Sequence, residues 1–141
     1  MSDFVLDASV SLSWFVDDPV PVAAVEIRNL LVKGRRALIP ALWAFEMANG
    51  FVTAKRKGVL TSFDVSDCCD EIEILLSNSL EVVADSPRNL VRALFTSAHT
   101  YSLTAYDASY LDLALRKRLP LATLDRSLQI SAKGAGVPLL P

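Results

Sequence analysis

The N-terminal run Phe4-Val5-Leu6-Asp7-Ala8-Ser9 restricts the fold more than any other stretch of the chain. Three consecutive apolar residues without helical spacing describe a short strand buried on both faces, as in a parallel sheet covered by helices on either side. The run then stops on a carboxylate, a group that costs several kcal/mol to bury without a partner. In open α/β sheets the carboxyl ends of the strands are also where ligands sit. Asp7 is therefore either the cap of a following helix or the first member of a site.

A chain of 141 residues is expected to form one domain over residues 1–141 and to bury roughly two thirds of its unfolded surface. Its hydrophobic fraction of 52% is high, yet no apolar run approaches the roughly 20 residues of a membrane span. The excess is assigned to buried strands, a large core and an oligomer or partner surface. The start Met1-Ser2-Asp3 carries no basic residue and leads into a strand, so no signal peptide is expected and the cytoplasm is the expected compartment. Cys68 and Cys69 are adjacent within a helical pattern, which argues against a bridge or a metal pair and for small buried hydrophobes.

A net charge of −2 excludes a broadly basic nucleic-acid binder. The positive charge is gathered in Lys33/Arg35/Arg36, Lys55/Arg56/Lys57 and Arg116/Lys117/Arg118, each at the expected C-terminal end of a helix, where cations suit the macrodipole.

Strands are expected at Asp3–Asp7, Ala37–Ile39, Leu80–Val83, Pro120–Asp125 and Val137–Leu140. Between them the 3.6-residue pattern predicts helices at Val10–Phe15 behind a Ser9 cap, at Val20–Lys33 ending on Gly34, and at Ala41–Lys57. The last of these is expected to pack through Leu42, Trp43, Phe45, Met47, Phe51 and Ala54. Thr61 with Asp64 is a variant capping box for a helix to about Ser77, with Phe63, Cys68 and Cys69 on its apolar side. Ser86-Pro87 starts another, to about Thr100. Thr104 opens Ala105–Arg118, whose inner stripe is Ala108, Leu111, Leu115 and Leu119, and Ser127–Lys133 completes the set. This rhythm predicts a three-layer α/β/α sandwich around a mainly parallel, roughly five-stranded sheet.

Asp7 and Asp125 both end strands, and parallel strands bring those ends to one edge. Glu46 lies in the first turns of the helix after the second strand, and Asp107 in the first turn of the helix opening at Thr104, where the dipole favours an anion. The four are placed to converge. Crowded carboxylates raise one another's pKa unless a cation neutralises them. An oxygen-only set suits Mg²⁺ or Mn²⁺. A divalent ion there would activate water and steady the charge that builds on a phosphate, as a metal-dependent phosphodiesterase requires. Ser9, Asn49 and Thr123 are placed to support the acids through hydrogen bonds, or else serve as ordinary cap and turn residues. Asp112, five residues after Asp107, turns away and pairs with Arg116 or faces solvent. The single histidine, His99, stands mid-helix with no catalytic context.

Two other readings begin from the same residues. A non-enzymatic RNA- or protein-binding module would use the acids as caps and ion-pair partners. A phosphatase or receiver domain also places Asp after its first strand, but the former wants a second Asp where Ser9 stands and the latter a pair of early acids and a late Lys.

Val5-Leu6-Asp7-Ala8-Ser9, the Glu46 helix with Asn49, Thr104-Ala105-Tyr106-Asp107-Ala108-Ser109-Tyr110-Leu111, and Leu121-Ala122-Thr123-Leu124-Asp125 resemble the four acidic blocks of the PIN domain. More narrowly, the chain resembles the VapC-type toxins of toxin–antitoxin pairs over its whole length. That resemblance implies a compact α/β/α fold and Mg²⁺- or Mn²⁺-dependent cleavage of RNA, with Asp7, Glu46, Asp107 and Asp125 binding the metal and Ser9 and Thr123 in support. It also implies a homodimer and a cognate antitoxin whose C-terminal segment blocks the acidic cleft. The basic triplets and Trp14, Trp43 and Tyr106 become candidates for RNA contacts, with core or dimer packing the competing role for Trp43 and Tyr106.

Overall fold

The structure, a computed structural model, describes residues 3–141. The reading of the chain start rests partly on Met1 and Ser2, which lie outside the described residues. The elements run β1 (Phe4–Leu6), α1 (Ala8–Val16), α2 (Val22–Val32), β2 (Ala37–Pro40), α3 (Leu42–Arg56) and α4 (Ser62–Asn78). They continue β3 (Leu80–Val83), α5 (Pro87–Tyr101), α6 (Ala105–Lys117), β4 (Leu121–Ala122), α7 (Arg126–Ala135) and β5 (Leu139–Leu140). No described helix is long and apolar enough to cross a membrane.

The sheet has the order β3-β2-β1-β4-β5, and every neighbouring pair is parallel. From β1 the chain steps outward to β2 and β3, then returns past β1 to β4 and β5. Right-handed crossovers place α1 to α4 over one face and α5 to α7 over the other. Helix contacts agree, with α1 against α2 and α3, α3 against α4, and α6 against both α5 and α7. This is the expected three-layer sandwich, with a sheet parallel throughout.

β1 and β4 lie at the centre, and Phe4, Val5, Leu6, Leu121 and Ala122 are all 0% exposed. Each large side chain so buried contributes roughly 1.5–3 kcal/mol. The direction of chain travel reverses between these two strands, which makes their carboxyl ends the crevice where such sheets bind ligands. Leu6 pairs with Ala122, and the Asp7 N–H still donates to the Ala122 carbonyl at 3.0 Å. The ladder therefore runs out with Asp7 and Thr123 side by side.

Several local expectations differ from the structure for identifiable reasons. The first helix starts at Ala8, so Ser9 lies inside it and is no cap. The fourth strand keeps only two residues, because Thr123 turns its hydroxyl to Asp7 and Asp125 caps α7 through Leu128 N–H at 2.8 Å. The last strand is equally short. Val137 N–H is drawn back to the Ala132 carbonyl in the C-cap, where Gly136 takes φ 78°. Phe45, Phe63 and Leu115 are exposed, as is Cys69, while Cys68 is buried. The Thr61–Asp64 capping box forms in both directions, at 3.1 and 2.7 Å.

Candidate functional site

Residues from four segments open on one cleft of about 290 Å³ at the carboxyl edge of the sheet. Its walls include Asp7, Ser9, Glu46, Asn49, Asp107 and Asp125, with Ala8, Leu12 and Gly50 completing them. No lysine or arginine is among its lining residues. All four acids named from the sequence are thus brought together, as are two of the three supporting residues.

Asp7 occupies the N-cap position of α1 but does not cap it with its side chain. Its Oδ2 instead accepts the Ser9 hydroxyl at 2.6 Å and the Thr123 hydroxyl at 2.7 Å. Those two hydroxyls are tied into the neighbouring loop: Ser9 Oγ accepts Leu124 N–H and Thr123 Oγ1 accepts Asp125 N–H, each at 3.0 Å. Thr123, buried behind Asp7, supports the cleft from outside its wall. Among the described residues no buried side-chain oxygen lacks a partner. The second Asp7 oxygen accepts none of these bonds, so it opens on the cleft.

Glu46 and Asp125 repeat this arrangement. Glu46 Oε1 takes the Tyr110 hydroxyl at 2.5 Å, and Asp125 Oδ1 takes Leu128 N–H. In each of the three acids, therefore, one oxygen is committed to the protein. Asp107 is held differently, through its backbone: its N–H donates to Thr104 Oγ1 at 3.1 Å, which anchors the first turn of α6. Asn49 lines the cleft without a hydrogen bond to any acid.

Burial is the first cause that pushes the Asp7 carboxyl above its ordinary range, and the charges of Asp107 and Asp125 add to it while Ser9 and Thr123 oppose it. Burial also raises Glu46, with the charges of Asp7 and Asp107 behind it and the Tyr110 hydroxyl acting against. Asp107 rises for the same first cause, then through Asp125. A cleft of mutually repelling, partly desolvated acids is electrostatically unfavourable without a counter-ion.

Among the described residues no three His, Cys, Asp or Glu side chains are grouped closely enough to hold a metal ion as they stand. The donor chemistry nonetheless fits a hard cation. Mg²⁺ keeps several of its waters and takes one or two carboxylates directly, so it needs an acidic, wet cleft and no dry cage.

The basic triplets behave unequally. Arg35 and Arg36 lead straight into β2 and Arg118 into β4, which puts them at the amino edge of the sheet, opposite the cleft. Arg116 is occupied by Asp112 at 2.8 Å and Asp85 at 3.0 Å, the first being the expected pairing. Lys55, Arg56 and Lys57 close α3 about 9 Å of helix beyond Asn49. Trp14 and Trp43 are buried, and their ring N–H groups donate to the Ala24 carbonyl and Ser11 Oγ. Neither is available to stack on a base; Tyr106 is exposed and is. His99 is exposed near the end of α5 and stacks on Phe95.

A second cavity, about 340 Å³, is larger but lined chiefly by Pro40, Leu42, Phe45, Val83, Leu90 and Leu94. The carboxylates at its rim, Asp85 and Asp112, are both held by Arg116, so the concentration of unneutralised charge lies in the acidic cleft.

Sequence reasoning missed Tyr110, Leu12 and Gly50. Tyr110 stands one helical turn after Asp107, a spacing that puts both on one side of α6, but nothing in the sequence says that its partner is Glu46. Gly50 lies one turn after Glu46, and a Cβ there would run into the Leu12 side chain.

Fold and site together define an α/β/α sandwich with an acidic cleft at its topological switch point. The chain matches no known family profile and none of the curated proteins. Among solved structures it is similar to PAE2754 from Pyrobaculum aerophilum, with a TM-score of 0.68 and 25% identity, covering 94% of this chain and 81% of that one.

Proposed function

We propose that this chain is a divalent-metal-dependent endoribonuclease of the PIN-domain kind, acting as the toxin of a toxin–antitoxin pair. The observation that carries the reading is the convergence of Asp7, Glu46, Asp107 and Asp125 from four separate segments onto one cleft without a cationic side chain on its wall. A bound Mg²⁺ or Mn²⁺ would supply Lewis-acid charge and a water of lowered pKa. The chain's own groups do the rest. Asp7, Glu46, Asp107 and Asp125 are the residues that would hold the ion. Ser9 and Thr123 fix one Asp7 oxygen, and through Leu124 and Asp125 N–H they lock the β4 loop beside it. Phosphate approaching this cleft meets no cationic side chain on its wall, so the ion must neutralise both acids and substrate; Lys55, Arg56 and Lys57 are the nearest free cations along α3.

The resemblance extends the proposal to a homodimer and to an antitoxin partner, and exposed Phe45, Val91, Phe95 and Tyr106 offer apolar surface for such contacts. The rival reading, a binding module with structural carboxylates, accounts for Asp125, which does cap α7. It does not account for Asp7, whose side chain caps nothing.

Purified protein incubated with total RNA and Mg²⁺ should cleave it, and a chelator should stop the reaction. RNA left intact with Mg²⁺ and Mn²⁺ present refutes the proposal.

A further inference from the structure

Tyr110 is 0% exposed, yet its ring carries a hydroxyl where phenylalanine would fill nearly the same space. A buried phenol needs a partner, and this one donates to Glu46 Oε1 across 64 residues of sequence, at 2.5 Å. Asp107 rides one turn earlier on α6. One hydroxyl therefore ties together two of the four segments that carry the acids, α3 and α6. With Oε1 held, only the other Glu46 oxygen is left for a ligand.

We propose that Tyr110 is a positioning residue of the cleft: its hydroxyl fixes the Glu46 carboxylate so that the second oxygen is presented to a divalent cation. The inference rests on the metal-dependent reading of the cleft and adds to it a residue that does not itself line the wall. The bond is charge-assisted and partly buried, which makes it both short and directional. Glu46 is half-buried, and the phenol is the partner that holds its carboxylate, so without it the side chain is left to sample several rotamers.

The probe is Mn²⁺ alone, its uptake followed by the loss of free-ion paramagnetic resonance, in wild type, Tyr110→Phe, Glu46→Ala and the double variant. Tyr110→Phe should weaken binding roughly ten- to hundredfold, the effect usual for removing a group that orients a metal ligand. In the Glu46→Ala background the same change should have no further effect, because there is no carboxylate left to orient. Tyr110→Phe binding within twofold of wild type overturns the inference. An equal loss in both backgrounds overturns it too, since the tyrosine would then act through the fold. Wild-type protein that takes up no Mn²⁺ refutes the metal reading itself, and this inference with it. Uptake undisturbed by Tyr110→Phe refutes only the role of the tyrosine. The wild-type chain offers an independent check by NMR: a slowly exchanging Tyr110 hydroxyl proton should be present and lost in Glu46→Ala, and a resonance unmoved by that change counts against the bond.

Discussion

Asp7→Asn should move activity and stability in opposite directions. The asparagine oxygen, placed where Oδ2 stands, still accepts from Ser9 and Thr123, but both bonds pass from charge-assisted to neutral. At roughly 1 kcal/mol less for each, that is a loss of about 2 kcal/mol. Against it stands removal of an ionised group that is 4% exposed and faces Asp107 and Asp125. The Asp7 carboxyl is raised despite its two hydroxyl donors, so burial and repulsion outweigh the hydrogen bonds. The net change in metal-free protein at neutral pH is therefore a gain in stability, read as a higher melting temperature than wild type.

The pH dependence follows from linkage. A folded-state pKa above the ordinary 3.8 means that the unfolded chain ionises first as pH rises. The penalty in wild type is absent in acid, grows above about the unfolded value, and is complete once pH exceeds the folded one. The advantage of asparagine should accordingly be largest at neutral pH and fade toward pH 4. Thermal denaturation with a chelator at several pH values measures it, and RNA cleavage with Mg²⁺, expected to be abolished, is the companion assay. Asp7→Asn that is less stable than wild type at neutral pH refutes the crowding account, and wild-type cleavage by the same protein refutes the catalytic one.

Adding Mn²⁺ should raise the melting temperature where Na⁺ at equal ionic strength does not, by about 2.7 kcal/mol of stability at a hundred times the dissociation constant. Because burial raises Asp7, Glu46 and Asp107, protons compete for the same oxygens and the stabilisation should shrink as pH falls; a shift independent of pH places the ion elsewhere. Gly50→Ala should lose about 1 kcal/mol, the low end of overpacking, since the atoms its Cβ meets are the mobile end of Leu12. Leu12 and Gly50 share the cleft wall, so cleavage should fall by more than stability does, and unchanged cleavage in a normally folded variant contradicts that.

Helix and strand positions were legible because their signals are local. Thr61 with Asp64 and Ser86 with Pro87 mark helix starts within a few residues, and the α/β/α layering follows from alternation alone. Ends were less legible wherever a distant partner intervened. β4 stops early because Thr123 answers to Asp7, 116 residues away. Phe45 and Phe63 break the apolar pattern because α3 and α4 cover only one face of the sheet and leave part of their own apolar surface uncovered. The aromatic residues show the same limit from the other side: the family resemblance made Trp14 and Trp43 candidates for RNA contact, and burial removed them.

By itself the sequence determined the fold class and which four acids lie at strand or helix ends, since both depend on spacing along the chain. Only the tertiary structure decided that these acids meet. Strand order β3-β2-β1-β4-β5 puts β1 beside β4, and hydrogen bonds from Ser9, Thr123 and Tyr110 choose which carboxylate oxygen is held. Those choices depend on backbone and side-chain partners brought together across the sheet, and no periodicity within a single segment encodes them.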